Sequence, residues 1–307
     1  MHTIDDIKDD IVKLGVKKGD VLFLRVSYKA IGKIEGGPKV FLDALLSIIG
    51  LEGTILMTAF PPKHITQLRW LYRYYVASKE NFPKPFTGVM PVMALTYPEA
   101  KLSEKLEFPF VVIGKHAEYL TKNHTHDKSG YWLLREVIQR FNCKCLRIGG
   151  RPLFGSTHVA LEDVFKSQNA YMSKLRKGIF VKENGKTRWY DEPNITFCGK
   201  AFSRFTDRIT NAAKLSEGQI GNGYAIITNM KKSYEEEMCI YSEDIHNLLC
   251  DDPDCLLCRT SYSFSDSTNG KYLGGQIKKL FSKNYKKAML NIESVLLKII
   301  FEKKSEK

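Results

Sequence analysis

Along the first sixty residues, the spacing of apolar and polar positions changes three times between that of a helix and that of a strand. Residues 4–14 place apolar side chains three and four positions apart among acidic ones, and Gly15 ends the segment. Val21–Val26 is a continuous apolar run of strand length. Lys39–Ile49 carries the apolar stripe of an amphipathic helix, and Ile55–Phe60 is a second strand. Strand, helix and strand within about forty residues predict a layered α/β domain.

The same two kinds of spacing continue further along the chain, whose length of 307 residues suits two domains or one large one. The further predicted elements are a helix from Gly88, a strand at 108–114, helices at 115–123 and 129–142 (with Ser129 as N-cap), a strand at 143–150, a hairpin over 178–191 that turns at Asn184-Gly185, a helix at 201–215, a strand at 223–230 and a helix at 233–249. Residues 61–87 predict a long loop or lid. Residues 259–274 predict a linker, and 275–307 a basic amphipathic helix.

The net charge of the 307-residue chain is +13, and most of the excess lies at its end. Residues 271–307 hold ten lysines and three glutamates, which gives 10 − 3 = +7. This confinement argues against a nucleic-acid groove across the fold, so no nucleic-acid partner is expected. The basic amphipathic tail could pack on the domain, join a second copy in a homodimer, or contact an anionic membrane surface peripherally. No apolar run would span a bilayer and no signal peptide is evident, so a cytoplasmic protein is expected.

The seven cysteines are spread through a long chain, which favours reduced thiols over disulfides. Near the end, His246, Cys250, Cys255 and Cys258 follow one another with three, four and two residues between them. Imidazole and thiolate ligands in a set of four suit a structural, tetrahedral zinc ion. The alternative is a solvent-facing His246 late in a helix and cysteines that serve as small apolar side chains.

Several short motifs carry a family resemblance. A Gly-Asp precedes the first strand, Ser27 and Gly32 follow it, and Gly36-Gly37-Pro38 opens the next helix. Further on, TGVMP, FVVIGKHAEYLT, CLRIGGRPLFGSTHVALEDV, IGNGYAIITN and LLCDDPDCLLC keep one order. Over residues 10–258 the chain resembles the aminoglycoside 3-N-acetyltransferase family, the antibiotic acetyltransferases. The resemblance implies a single large α/β/α domain over residues 1–258 with a mixed central sheet, here followed by the C-terminal helical tail. It also implies acetyl-CoA as co-substrate, a small-molecule amine as acceptor, and direct transfer assisted by a histidine and a carboxylate.

The chain departs from the family's pattern at three places. Arg25, Val26 and Ser27 stand where the first strand usually runs into His-Ser-Ser. Lys105 and Leu106 stand where a His-Pro is usual, and Lys105 is interpreted either as an exposed lysine or as a replacement for that histidine. In a motif of the form Thr-x-x-His-x-x-Glu, Glu162 matches, but Val159 occupies the histidine position.

His158 and Glu162 are the catalytic residues that the sequence predicts. They lie four residues apart on a predicted helix, where the carboxylate could orient the imidazole as a general base. The turn before them places Ser156 and Thr157 where backbone N–H groups suit a phosphate or an oxyanion. The alternative is an ordinary helix that carries a surface His–Glu pair.

The loop from Ser27 to Pro38 is the predicted cofactor site. It leads from a strand into a helix, where backbone amides and the helix N-terminus favour phosphates. Lysines add positive charge, and glycines allow the backbone to approach a ligand closely. Its expected contacts are Ser27, Tyr28, Lys29, Gly32 and Gly37. The alternative is a plain connecting loop with solvated lysines.

Two functions therefore remain open from the sequence. The first is an acyl-CoA-dependent N-acyltransferase acting on an amino sugar or an aminoglycoside-like acceptor. The second is a member of the family that keeps the fold and CoA binding without catalysis and acts as a binding or assembly subunit. A zinc-dependent nucleic-acid binder is a third class, which the confinement of charge to the tail disfavours.

Overall fold

The computed structural model describes residues 1–61, 76–78, 82–150, 154–167, 177–192, 198–255, 258–259, 262, 264, 269–286, 288–289, 292 and 295–296. Its strands are β1 Val21–Val26, β2 Thr54–Thr58, β3 Val76–Ala77, β4 Lys101–Leu102, β5 Phe110–Gly114, β6 Lys144–Ile148, β7 Lys177–Glu183, β8 Lys186–Glu192, β9 Lys214–Ile220 and β10 Gly223–Asn229. Its helices are α1 Ile4–Lys13, α2 Tyr28–Ile31, α3 Pro38–Ile49, α4 Val89–Ala94, α5 Ala117–Asn123, α6 Trp132–Arg140, α7 Thr157–Ser167, α8 Gly199–Ser203, α9 Thr206–Ala213, α10 Met230–Glu243 and α11 Asn269–Lys279, with a 3-10 helix at Ile245–Leu248.

A seven-stranded mixed sheet forms the centre, in the order β4-β5-β2-β1-β6-β10-β9. The middle three strands, β2, β1 and β6, are parallel, whereas β5 and β10 run antiparallel to their neighbours. A smaller sheet joins β3, β7 and β8. The predicted layered α/β domain with a mixed central sheet is confirmed.

Helices cover both faces of the central sheet, which explains why its strands are continuously apolar. Leu22 and Leu24 of β1 belong to a core shared with α1 and α3. Val21 and Phe23 point the other way, into a core shared with α5 and α6. A third core lies among α7, α8, α9, α10 and the 3-10 helix.

The connections place a topological switch point between β1 and β6. The chain leaves β1 through α3 towards β2 on one side, and the next parallel strand, β6, lies on the other side of β1. In open α/β sheets, ligands bind in the crevice outside the carboxyl ends of the strands at such a point. Arg25–Val26, at the end of β1, and Arg147–Ile148, at the end of β6, border this crevice.

Most predicted elements are present, with shifted bounds. The predicted hairpin forms around Asn184-Gly185, both of which have the positive φ that this turn requires (49° and 75°). The helix predicted over 129–142 begins at Trp132, because the Ser129 hydroxyl accepts from the amide of Tyr131 and does not cap it. The helix predicted over 201–215 is two helices, α8 and α9, and β9 follows directly.

The predicted linker and tail differ from the structure at their boundary. Helix α11 begins at Asn269, inside the predicted linker 259–274. Much of the tail after 286, and most of the predicted lid at 61–87, lies outside the described residues. Among the described residues, no helix combines the length and apolar character that crossing a bilayer requires.

Candidate active site

The loops that follow β1 and β6 touch each other at the sheet edge. The amide of Ser27 donates to the Ile148 carbonyl at 2.9 Å. Gly149 has a φ of 58°, and a Cβ there would lie 2.7 Å from the Cβ of Ala30 in α2. Glycine is therefore required at 149, since it alone combines this backbone conformation with this close approach.

Two arginines lie side by side at this edge. Arg25 and Arg147 are register partners on the adjacent parallel strands β1 and β6. Burial lowers the pKa of Arg25, and the neighbouring Arg147 charge lowers it further. Within the described part of the chain, the buried Nη1 of Arg147 has no hydrogen-bond partner. Two adjacent, partly buried guanidinium groups, one of which has an unpaired Nη1, suit an anionic ligand.

The predicted cofactor residues of the first loop lie between β1 and α3, in and around the short helix α2. Ser27 is the N-cap residue of α2, and Gly37 that of α3. A Cβ on Gly32, whose φ is 92°, would lie 2.7 Å from Asn222 Nδ2, so the loop also packs closely against the β9–β10 turn. Tyr28 is partly exposed and Lys29 is exposed.

Ser156 and Thr157, the other predicted cofactor residues, face the interior. Both are almost fully buried (0% and 2% exposed), and both hydroxyls donate to the carboxylate of Glu237, Ser156 Oγ at 2.6 Å. These hydroxyls join α7 to α10 and are not available to a ligand, whereas the contact expected from the backbone N–H groups of this turn stays a prediction. Burial raises the pKa of Glu237 to about 8, against the lowering effect of the two hydroxyls.

Replacement of Glu237 by glutamine is expected to change how stability depends on pH. Since the folded pKa of Glu237 lies above its unfolded value of 4.5, its contribution is full below pH 4.5 and is lost as the pH rises through about 8. The variant carries no charge at position 237 at any pH. It should therefore gain stability relative to the wild type between pH 5 and pH 9, and each kcal/mol gained should raise Tm by about 2–4 °C. Thermal melts across this range would measure it. A constant difference in Tm would contradict the assignment.

His158 and Glu162 are not hydrogen-bonded to each other. The His158 ring stacks on Tyr131 with centroids 4.3 Å apart, and burial together with the Arg25 charge lowers its pKa to about 3. Glu162 instead accepts from Ser129 Oγ at 3.0 Å and from Arg135 at 3.1 Å. His158 and Glu162 lie on one helix, α7, as the spacing predicts. Hydrogen bonds from Ser129 and from Arg135 of α6 nevertheless hold the Glu162 carboxylate away from the His158 ring.

A second histidine, which the sequence reasoning missed, does have a carboxylate partner. The Nδ1–H of His126 donates to Glu107 Oε2 at 2.6 Å, and Lys105 Nζ donates to Glu107 Oε1 at 2.5 Å. Glu107 and Lys105 are fully buried (side chains 0% and 1% exposed), whereas 18% of the His126 side chain is exposed. The His126 ring stacks on Tyr190 of β8 at 3.7 Å.

This Lys105–Glu107–His126 network is the arrangement that general bases use. Burial would raise the pKa of Glu107, but the His126 hydrogen bond and the Lys105 charge outweigh it and lower that pKa. An ionised carboxylate fixed on Nδ1 orients the ring and stabilises its cation. The interpretation of Lys105 as an exposed lysine is corrected, because its ammonium is buried against Glu107. No short sequence motif contains both residues, because His126 lies 19 positions after Glu107.

An aromatic wall connects the two histidine sites. Phe108, directly after Glu107, packs on Phe60 at 4.5 Å and on Tyr131 at 4.7 Å. Tyr131 in turn stacks on His158. The wall thus runs from the segment after β2 to α7, where it borders the His158 imidazole. It gives the edge the mixed apolar and charged lining of a small-molecule site.

The predicted zinc ligands are only partly brought together. Cys250, Cys255 and Cys258 gather with Cys198, and their four sulfur atoms all lie within 4.8 Å of one another. His246 stands outside this group. Its Nδ1 is 2.8 Å from Asp244 Oδ1 and its side chain is 44% exposed. The predicted ligand set is corrected accordingly, with Cys198 in place of His246.

Comparison with known families gives a match over most of the chain. The profile of the family described as "Aminoglycoside 3-N-acetyltransferase" matches residues 23–239. Aminoglycoside N(3)-acetyltransferase III of Pseudomonas aeruginosa is 32% identical over 137 residues, which is 41% of this chain and 50% of that protein. The SPbeta prophage-derived aminoglycoside N(3')-acetyltransferase-like protein YokD of Bacillus subtilis (strain 168) is 26% identical over 137 residues, 40% and 50% of the two chains. The chain spans about half the length of the curated relatives it matches.

Solved structures share the fold over more of the chain. The apoenzyme of aminoglycoside acetyltransferase AAC(3)-IVa aligns with a TM-score of 0.66 at 18% identity, over 82% of this chain and 93% of that one. YokD from Bacillus subtilis aligns with a TM-score of 0.64 at 19% identity, over 80% and 100%. AAC-IIIb, solved as a binary complex with CoASH, aligns with a TM-score of 0.59 at 17% identity, over 78% and 96%.

Proposed function

The chain belongs to the aminoglycoside 3-N-acetyltransferase family, and from this premise we propose that it transfers an acyl group, first of all acetyl, from acyl-CoA to an amine of an amino sugar. The observation that carries the proposal is the glycine-rich segment between β1 and α3 at the β1/β6 switch point, where Gly149 packs closely on Ala30 and Lys29 and Lys33 are exposed. That is where an α/β sheet binds a nucleotide, and the lining there is cationic.

Acyl-CoA fits the predicted cofactor loop. Its diphosphate and ribose phosphate are anionic, and Lys29 and Lys33 are exposed on the loop between β1 and α3. The N-terminus of α3, entered through Gly37, adds the positive end of the helix dipole. The binary complex of AAC-IIIb with CoASH, a protein of the same fold, supports this choice of donor.

Catalysis by direct transfer needs a group that accepts one proton. The amine nitrogen attacks the thioester carbon, the C–S bond breaks, CoA leaves as the thiolate, and the amine proton passes to a base. We assign this base to His126 with Glu107 as its orienting carboxylate. His158, with Glu162 nearby, remains the second candidate. A pKa of about 3 makes His158 a weak base at neutral pH.

The charge of the edge favours an anionic acceptor. An aminoglycoside carries several ammonium groups, which Arg25 and Arg147 would repel at close range. A nucleotide-linked amino sugar carries phosphates that the same guanidinium groups attract. The acceptor class that we propose is therefore a phosphate-bearing amino sugar with a free primary amine.

Calorimetric titration with acetyl-CoA and CoA, followed by a thiol-release assay, tests the proposal. Wild type should bind both nucleotides and release thiol with nucleotide-linked amino sugars in preference to aminoglycosides. Arg147→Met should raise the KM for the nucleotide-linked amino sugar by about tenfold or more. Arg188→Met, which removes an exposed arginine from β8, is the charge-matched control and should not.

Three outcomes would separate the alternatives. Failure of both nucleotides to bind would overturn the transferase and the CoA-binding subunit together. Binding without thiol release for any amine would leave the CoA-binding subunit. Preferred turnover of aminoglycosides would contradict the proposed acceptor class and retain the acyltransferase.

A further inference from the structure

We propose that Cys198, Cys250, Cys255 and Cys258 bind one zinc ion in a closed four-thiolate site. Their four sulfur atoms all lie within 4.8 Å of one another, and Cys198 Sγ is 3.6 Å from Cys255 Sγ. With Zn–S bonds of about 2.3 Å, the sulfur atoms of a regular tetrahedron lie about 3.8 Å apart. The observed cluster therefore needs only small shifts to accept the ion.

The backbone around the cluster has the form of a metal-binding turn. The amide of Cys250 donates to Cys258 Sγ at 3.3 Å, an N–H···S contact that stabilises a thiolate. The amide of Cys255 donates to the Asp252 carbonyl and that of Arg259 to the Cys255 carbonyl, so the chain turns twice around the sulfur atoms. Three of the four cysteines are buried, which places the ion away from solvent.

Positive side chains surround the cluster, as its charge requires. Four thiolates and one divalent ion carry −4 + 2 = −2. Arg259 donates to the Cys250 carbonyl at 2.6 Å, and Arg204 donates to the Leu249 carbonyl at 2.6 Å. Both guanidinium groups are thus held on the backbone that carries the ligands, where they favour a doubly negative centre.

The site is structural because four protein ligands leave no open position for a substrate or water. Cys198 lies 57 residues before Cys255, so the ion ties two distant segments together. Cys198 is the N-cap residue of α8, and Phe202 of the same helix meets the His158 ring at 5.5 Å. The metal thereby holds α8 against the candidate active site.

Elemental analysis of the full chain, purified under reducing conditions without chelator, tests the site. About one zinc per chain is expected for the wild type, with Zn–S distances of about 2.3 Å to four sulfur atoms by X-ray absorption. Cys198→Ser should retain at least about fivefold less zinc and melt at a lower temperature. Cys239→Ser and His246→Ala should keep the full zinc content, since Cys239 is exposed and neither residue belongs to the cluster.

The outcomes decide between distinct chemistries. Full zinc in Cys198→Ser together with loss in His246→Ala would overturn the four-cysteine site in favour of the set predicted from the sequence. The zinc site would be overturned altogether if the wild type contains no metal and its four thiols are either paired as disulfides or alkylated freely at equal rates. If Cys198→Ser fails to fold, cobalt added to reduced wild-type protein gives an independent measure. The intense thiolate-to-cobalt absorption of a four-sulfur tetrahedral site is expected, and its absence would overturn the proposal.

Discussion

Replacement of His126 by alanine is expected to lower kcat for acyl transfer by about 10²- to 10⁴-fold, because it removes the group that takes the amine proton. Binding of acyl-CoA should be retained, since the arginine pair and the loop after β1 are untouched. Glu107→Gln should share most of the loss, because the ring would lose the carboxylate that orients it at 2.6 Å. Thiol-release kinetics at saturating acyl-CoA would measure both variants.

Two further histidines make this experiment decisive. His116→Ala is the matched control. His116 lies just after β5, next to the start of β2 and thus at the opposite end of the strands, and the variant should turn over like the wild type. His158→Ala tests the pair predicted from the sequence. A large loss in His158→Ala with near-normal turnover in His126→Ala would move the base to His158 and refute the assignment to His126.

Replacement of Lys105 by methionine is expected to destabilise the fold by about 3–5 kcal/mol, the usual cost of removing one partner of a buried ion pair. The Lys105 ammonium and the Glu107 carboxylate are 2.5 Å apart and almost fully buried, so the variant leaves Glu107 with His126 as its remaining partner. Urea unfolding at neutral pH would measure the loss.

A double variant separates the charge from the packing. Lys105→Met combined with Glu107→Gln should recover part of the stability, because the buried negative charge is gone as well.

The pH dependence of the stability loss in Lys105→Met is a further check. The folded pKa of Glu107 is lowered in the wild type, so its contribution to stability is lost as the pH falls. The defect of the single variant should therefore shrink in acid. A defect independent of pH and unrelieved in the double variant would indicate lost packing alone.

The layered fold could be predicted because its signals are local. Val21–Val26 and Lys39–Ile49 differ in period, and each keeps the spacing of its own element. The β9 strand carries no such signal, because it lies at the sheet edge and alternates charged and polar residues such as Lys214 and Glu217. A strand that is buried on both faces can be recognised in a sequence by its apolar run, whereas an edge strand is not buried in this way and has no such run.

The loop that carries the predicted cofactor residues could be placed from the sequence, whereas the side-chain contacts of the candidate site could not. Ser27–Gly37 follows β1 as expected, since a strand, a glycine-rich loop and a helix are contiguous in sequence. His158 and Glu162 share a helix, yet their partners Tyr131 and Ser129, which precede α6, decide where each side chain points. The His126–Glu107 pair and the contribution of Cys198 to the cysteine cluster join distant segments, and no local spacing encodes such contacts.

The edges of the central sheet restrict how copies of this protein can associate. One edge strand, β4, is only two residues long, and the other, β9, presents Lys214 and Glu217, which pair with each other. Short or charged edges resist the addition of a foreign strand. Within the described part of the chain, neither border therefore offers a template for continuous β-sheet between molecules. Association of copies through continuous β-sheet at these two borders of the central sheet is therefore disfavoured.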